Sequence, residues 1–190
     1  MGLGLMLLCA AAGIYLMHQR QDRLAGQNAR LLLAELHQGI TLNEDFLNFV
    51  PEITWDEEDE PVCVTYNGYG LLGSIAVESC GIELPVLSQW DDAMLKTAPC
   101  RYSGSVAGGD LIIMGHNYKS HFTPLNRAAV GDGVTFTDAA GQAHGYTVTK
   151  IETFHKSQLE DLTGTDYPLT LFTCTYGGQN RLVLRCEMAE

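Results

Sequence analysis

Three side chains in this sequence have the types and spacing that acyl transfer needs: a thiol, an imidazole and a guanidinium. The run Leu169-Thr170-Leu171-Phe172-Thr173-Cys174 is apolar, β-branched and aromatic, so it reads as a strand that delivers Cys174 to its C-terminal end. Gly177 and Gly178 then turn the chain into a second strand that opens with Arg181. Two paired strands of this kind set a nucleophile beside a permanent cation, which suits attack on a carbonyl and stabilisation of the oxyanion that results. A cysteine at a strand end is ordinarily a small buried apolar residue. Cys174 is distinguished by hydroxyls on both sides, a flexible loop after it and an arginine close behind. A free thiol has a pKa near ~8.5, so attack at neutral pH calls for a base or cation nearby.

Gly115-His116 ends a strongly apolar strand, Leu111-Ile112-Ile113-Met114, and offers that base. Residue type alone leaves His121 as a rival, because it lies close by in the chain. His18 and His37 precede the main domain, and His144 and His155 fall in or just after a hairpin strand. The guanidinium is likewise open between Arg181 and Arg185, since both lie on one face of a strand.

These segments together resemble the sortases, the cysteine transpeptidases of Gram-positive cell surfaces. Thr170-Leu171-Phe172-Thr173-Cys174 fits their T-L-x-T-C signature, and Asn180-Arg181-Leu182-Val183-Leu184 fits the arginine strand that follows it. Leu111-Ile112-Ile113-Met114-Gly115-His116-Asn117 looks like the family's strand ending in Gly-His. The resemblance spans about residues 63–188, with the three motifs in the family's order. It implies an all-β fold, a closed eight-stranded barrel with short helices. It also implies cleavage of an LPxTG-like sorting signal after the threonine, with a thioacyl intermediate on Cys174.

The same resemblance selects His116 to protonate the leaving amine and Arg181 to bind the substrate carbonyl and its oxyanion. Arg185 then becomes a surface or supporting residue. Thr173 is implied to help shape the substrate site, although strand alternation points its side chain away from that of Cys174. The acyl acceptor is implied to be an amine, either a peptidoglycan cross-bridge or a pilin lysine. The chemistry needs no cofactor and no metal. Residues 152–168 match the loop that frames the sorting-signal groove, and Glu152, Glu160 and Asp161 there are acidic enough to consider for calcium, though such carboxylates are more often solvated.

Rival readings make their own demands. Papain-like order puts the cysteine before the histidine, the reverse of this chain. An L,D-transpeptidase-like enzyme should carry small residues before its cysteine, where this chain has Phe172-Thr173. A non-catalytic extracellular β-barrel binding module would leave its cysteines structural, and a zinc site from His116, Cys174 and Cys186 has poor spacing.

The elements that must position this chemistry follow from the rest of the chain. Residues 1–17 carry no charged side chain, which predicts an N-terminal transmembrane anchor over 1–18, at the short edge of the ~17–25 residues a span requires. Arg20, Arg23 and Arg30 follow it, and the positive-inside tendency would hold that end in the cytoplasm. The resemblance instead implies a single-pass protein of the cell membrane with its catalytic domain outside.

Residues 19–62 read as an amphipathic stalk helix and an acidic linker. Ala25, Ala29, Leu32, Leu33, Leu36 and Ile40 recur at helical spacing and are expected to pack on the protein's own domain, while Gly26 weakens the helix. Residues 63–190 form the catalytic domain. Its strands are expected at 63–66, 71–77, 84–87, 110–114, 134–138, 144–154, 169–174 and 181–186, with a hairpin turn at 139–142 and helical turns at 125–129 and 158–162.

A formal net charge of −12 speaks against a nucleic-acid partner. Six cysteines without a C-x-x-C pair leave Cys63, Cys80, Cys100 and Cys186 either as up to two disulfides or as small buried residues.

Overall fold

The computed structural model of the chain describes residues 2–45 and 63–189, with side chains described over 4–39 and 63–189. Most of the expected acidic linker, with Pro51, Pro61 and the run Asp56-Glu57-Glu58-Asp59-Glu60, lies outside the described residues.

Alternating apolar runs cut by turn residues become nine strands: β1 (Val64–Tyr66), β2 (Tyr69–Val77), β3 (Ile82–Leu87), β4 (Cys100–Ser103), β5 (Leu111–Gly115), β6 (Gly133–Asp138), β7 (Ala143–His155), β8 (Leu169–Cys174) and β9 (Asn180–Met188). Their order is β1-β2-β3-β4-β5-β8-β9-β7-β6, and β6 pairs again with β2. That last pairing closes β2 to β9 into an eight-stranded mixed barrel, and closure removes the exposed strand edges. β1 stands outside the ring as a hairpin on the first residues of β2.

All eight expected strands are present, and β4 is the addition. It is four residues long, follows Pro99 and touches β3 through one parallel pair, Leu87 with Cys100, too little alternation to be seen in advance. Asp138 accepts from the Gly141 N–H at 2.9 Å, which closes the expected turn between β6 and β7. Three short 3-10 turns occur at Glu78–Cys80, Thr123–Arg127 and Leu159–Leu162, where two helical turns were expected.

The main core fills the barrel with Ile75, Ile113, Phe136, Leu169, Leu171 and Leu184 among others. A second cluster joins Leu32 and Leu36 to Leu71, Leu87, Ala98 and Cys100. A third lies on the outer face, where Ile112, Phe172 and Val183 are covered by Leu162.

One helix, α1 (Gly2–Asp45), runs through both the expected anchor and the expected stalk, with no break between residues 18 and 19. At 1.5 Å per residue it is about 66 Å long. Ala25, Ala29, Leu32 and Leu36 are buried, so the predicted stripe packs on the chain's own barrel. The apolar side chains from Leu5 to Met17 are exposed. Among the described residues, no helix is long and apolar enough to cross a membrane.

Among the described residues Cys80, Cys100 and Cys186, which were weighed for disulfides, are free thiols. Cys80 and Cys186 are packed in the main core and Cys100 in the second cluster. Burial pushes the thiols of Cys100 and Cys186 up to about 12.

Candidate active site

The site is built from the outward face of three adjacent strands. β5 and β8 run parallel in a register that sets Ile112 beside Thr170, Met114 beside Phe172 and Gly115 beside Thr173. β9 runs antiparallel to β8, with Thr170 opposite Arg185, Phe172 opposite Val183 and Cys174 opposite Arg181. Side chains alternate across a strand. Leu169 and Leu171 fill the barrel, whereas Phe172 belongs to the outer cluster, so Thr170, Phe172 and Cys174 face outward together. β5 ends at Gly115, and its register carried one residue further would set His116 level with Cys174. The three outward rungs are therefore Ile112–Thr170–Arg185, Met114–Phe172–Val183, and His116–Cys174–Arg181. Neighbouring strands lie about 4.8 Å apart, so the last rung is about 10 Å across.

Cys174 is half-buried, unlike the buried thiols of Cys80, Cys100 and Cys186. Arg181 is also half-buried and donates from one guanidinium nitrogen to the carbonyls of Gly178 (3.0 Å) and Asn180 (3.1 Å). Those bonds fold it onto the short loop after Cys174. The loop is tight: Thr175 N–H donates to Asn180 O at 2.9 Å and Gly178 N–H to Thr175 O at 2.9 Å. It can close only because Gly177 and Gly178 take φ values of 83° and 70°, where a side chain would be strained. Among the described residues no salt bridge involves Arg181, which leaves its charge available to an incoming oxygen.

His116 lies flat against Tyr118, with ring centroids 3.9 Å apart and planes 10° from parallel. Its Nδ1 is buried without a hydrogen-bond partner among the described residues. Burial holds the imidazole below its usual pKa, with the Lys96 charge adding to the effect and the Asn117 side chain opposing it. The ring is therefore neutral at pH 7 and able to accept a proton. Tyr118 carries no signal of its own in the sequence beyond being an aromatic two residues past the histidine.

His121, the rival histidine, is 1% exposed and is held by burial down to about 4. It sits beside α1, where Asp22 of the helix and His116 both act on it by charge.

Thr173, expected to help shape the substrate site, lies one residue before Cys174 on β8. Its side chain is 2% exposed, alternates to the inward face, and leaves its hydroxyl without a partner.

Of the two places expected for Arg185, surface or supporting, the structure shows the supporting one. It is 2% exposed and donates to the carbonyls of Asp161 (2.6 Å) and Leu162 (3.0 Å) and to the hydroxyl of Thr170 (3.1 Å). Glu152 pairs with it at 3.4 Å and with Lys150 at 2.6 Å. Burial opposes ionisation of Glu152, but these two cations outweigh it and hold the carboxyl below its usual range. Glu152 is thus committed to cations of the chain and Asp161 is engaged through its carbonyl. Among the described residues there is no group of three or more acidic, histidine and cysteine side chains placed to hold a metal. The zinc alternative fails on placement, since Cys186 lies inside the barrel opposite Leu169.

Comparison with known proteins agrees with this arrangement. The Sortase domain family matches residues 75–189. Sortase C1 of Streptococcus agalactiae is 26% identical over 81% of this chain and 87% of its own, with a TM-score of 0.59. A sortase D5 transpeptidase of Clostridium perfringens is 17% identical over 86% of this chain and 99% of its own, with a TM-score of 0.64. Sortase C of Clostridium perfringens, solved with its C-terminal cell wall sorting motif, is 23% identical over 83% and 89%, with a TM-score of 0.59. No curated protein matches the chain.

Proposed function

Because the chain belongs to the sortase family, whose members are cysteine transpeptidases, we propose that Cys174, His116 and Arg181 transfer the acyl part of an LPxTG-like sorting signal to an amine. The observation that supports this reading is the pairing of Cys174 with Arg181 across β8 and β9, with the end of β5, one residue before His116, on the other side of β8.

Cys174 Sγ passes its proton to the neutral His116 imidazole and attacks the carbonyl carbon of the threonine. The oxygen becomes an oxyanion beside the Arg181 guanidinium, which gains most as charge develops. The tetrahedral adduct collapses when the C–N bond breaks, and His116 gives a proton to the departing amine. What remains is a thioester on Cys174. An incoming amine attacks it, loses a proton to the neutral imidazole and releases the thiolate. The acceptor is the amine of a peptidoglycan cross-bridge or of a pilin lysine. A sorting motif bound to a related sortase C is consistent with a peptide donor of this kind.

Sortases are enzymes of the Gram-positive cell surface, and residues 1–18 are proposed to hold this one in the membrane with the barrel outside. Support comes from the absence of charge over 1–17 and from the apolar side chains that α1 exposes from Leu5 to Met17. Flotation of the full chain with lipid vesicles, lost on Leu8→Lys with Ile14→Lys, tests the anchor.

For the chemistry, the full chain is incubated with a pool of LPxTG and NPxTG peptides and a primary amine, and products are weighed. A peptide cut after threonine and joined to the amine is expected. Absence of any ligated product, while the same peptides are turned over by a known sortase, would overturn the substrate assignment.

A further inference from the structure

α1 crosses the barrel at the loop that carries His116. Asp22 Oδ1 accepts from the Ser120 N–H at 3.0 Å and from the Ser120 hydroxyl at 2.6 Å; that hydroxyl also lies 2.9 Å from the Asp22 carbonyl. One turn along, Gly26 approaches so closely that a Cβ there would stand 2.8 Å from the Ser120 Cβ. The glycine that weakens the helix by its propensity is the residue that lets it dock.

The loop is closed on itself. Phe122 N–H donates to His116 O at 3.2 Å, and the His121 and Thr123 N–H groups both donate to Tyr118 O at 3.1 Å. The Thr123 hydroxyl donates to Asn117 O at 2.7 Å. At its base, Gly115 leaves room for the Phe122 ring, which would lie 2.3 Å from a Cβ at that position. Base and backbone frame are thus fixed within the barrel, while the outer corner, Ser120, is fixed by the helix. Tyr118 stands on this frame with its ring against the imidazole.

A catalytic histidine is usually oriented by a hydrogen bond at its second ring nitrogen. The Nδ1 of His116 has none among the described residues, so beyond the Asn117 side chain its orientation rests on packing against Tyr118.

We propose that α1 is a working part of the active site, with Asp22 a positioning residue that holds the His116 ring through Ser120 and Tyr118. The inference rests on the acid–base role proposed for His116. It joins residues 98 positions apart in the chain and makes the helix that leads from the proposed membrane segment also the outer wall of the histidine loop. The groups facing the imidazole are Lys96 from the segment before β4, and Asn117, Tyr118 and His121 from the loop. Asp22 of α1 reaches Tyr118 and His121 by its charge.

The test uses the full chain with Asp22→Ala, Ser120→Ala, Tyr118→Phe and Tyr118→Leu, and with Gln27→Ala on the exposed helix face as control. Transfer kinetics are measured beside the His116 titration by histidine-labelled NMR. Asp22→Ala and Tyr118→Leu are expected to lower kcat about tenfold, with KM within about twofold. Both are expected to raise the His116 midpoint toward 6.5 as the ring gains water. Tyr118→Phe keeps the stacked ring and should keep both values near those of the parent. Asp22→Ala combined with Ser120→Ala should do no more damage than either alone, because the pair acts as one contact.

A His116 midpoint and a kcat unchanged by Asp22→Ala in a folded protein would overturn the inference. The titration is equally readable in a Cys174→Ala background, so the coupling is judged apart from the chemistry. Full transfer activity in His116→Ala would instead overturn the acid–base reading.

Discussion

Arg181 and Arg185 stand four residues apart on the same face of β9, yet their surroundings are opposite. Arg185 is sealed under residues 156–168, with bonds to the carbonyls of Asp161 and Leu162 and to Thr170 and a carboxylate partner in Glu152. Its guanidinium also lies over the rings of Phe154 and Tyr167, at 5.7 Å and 5.5 Å. Arg181 is held by two loop carbonyls and leaves the rest of its fork toward the outer face. The lesson is that one strand face supplies both structure and chemistry, and cover decides which. Where the loop closes over the rung, the cation stabilises the protein; where the face is open, the cation remains available to a substrate oxygen.

The contrast breaks most visibly at the sealed end. Arg185→Ala leaves the half-buried Glu152 with one cation fewer and strands two loop carbonyls, so a stability loss of about 3–5 kcal/mol is expected in urea unfolding. A loss below about 1 kcal/mol would show that the burial of Arg185 matters little. At the open end, Arg181→Ala is expected to lower kcat by about 10²–10³-fold while the unfolding midpoint barely moves. A variant that unfolds instead of slowing would reverse the roles assigned to the two arginines.

The histidines repeat the comparison. His121 is sealed and His116 is half-open, and burial holds both below the ordinary 6.5. Between about 4 and 6.5 the unfolded chain binds a proton at residue 121 that the folded chain does not. Stability contributed by His121 is therefore fully present above pH 6.5 and falls as the pH drops toward 4. Its ceiling is about 3 kcal/mol. Unfolding free energies measured from pH 7 to 4 should show this slope, and His121→Phe should flatten it.

The smallest effect is expected at Thr173. Its hydroxyl is buried on the inward face without a partner, so Thr173→Val should change stability by no more than about 1 kcal/mol. KM for a sorting peptide should stay the same; a large rise in KM would restore the substrate role expected of Thr173.

The sequence was legible where local pattern decides the outcome. Period-two alternation and the Gly177-Gly178 loop were enough to put Cys174 and Arg181 side by side, and the Leu111–Gly115 strand to set His116 just past its end. Helical spacing from Ala25 to Leu36 foretold the face that docks. What stayed hidden depends on distant partners. The fate of Arg185 is set by carbonyls of a loop 23 and 24 residues earlier in the chain, and strand periodicity treats it as the twin of Arg181. The grip of Asp22 on Ser120 has no local signature, and Gly26 looks like a flaw until the loop beside it is seen. β4 is too short and too close to Pro99 to alternate visibly. The four cysteines weighed as disulfides are divided among separate cores and the surface, a distribution that composition cannot report.

The central claim is that one rung carries the chemistry and that Cys174 is its nucleophile. The most direct test weighs the intact full chain after incubation with a sorting peptide in the absence of amine. An acyl adduct mapped to Cys174 is expected, discharged when amine is added and absent from Cys174→Ala. An adduct on exposed Cys9 or Cys63, or peptide transfer that persists in Cys174→Ala, would contradict the account.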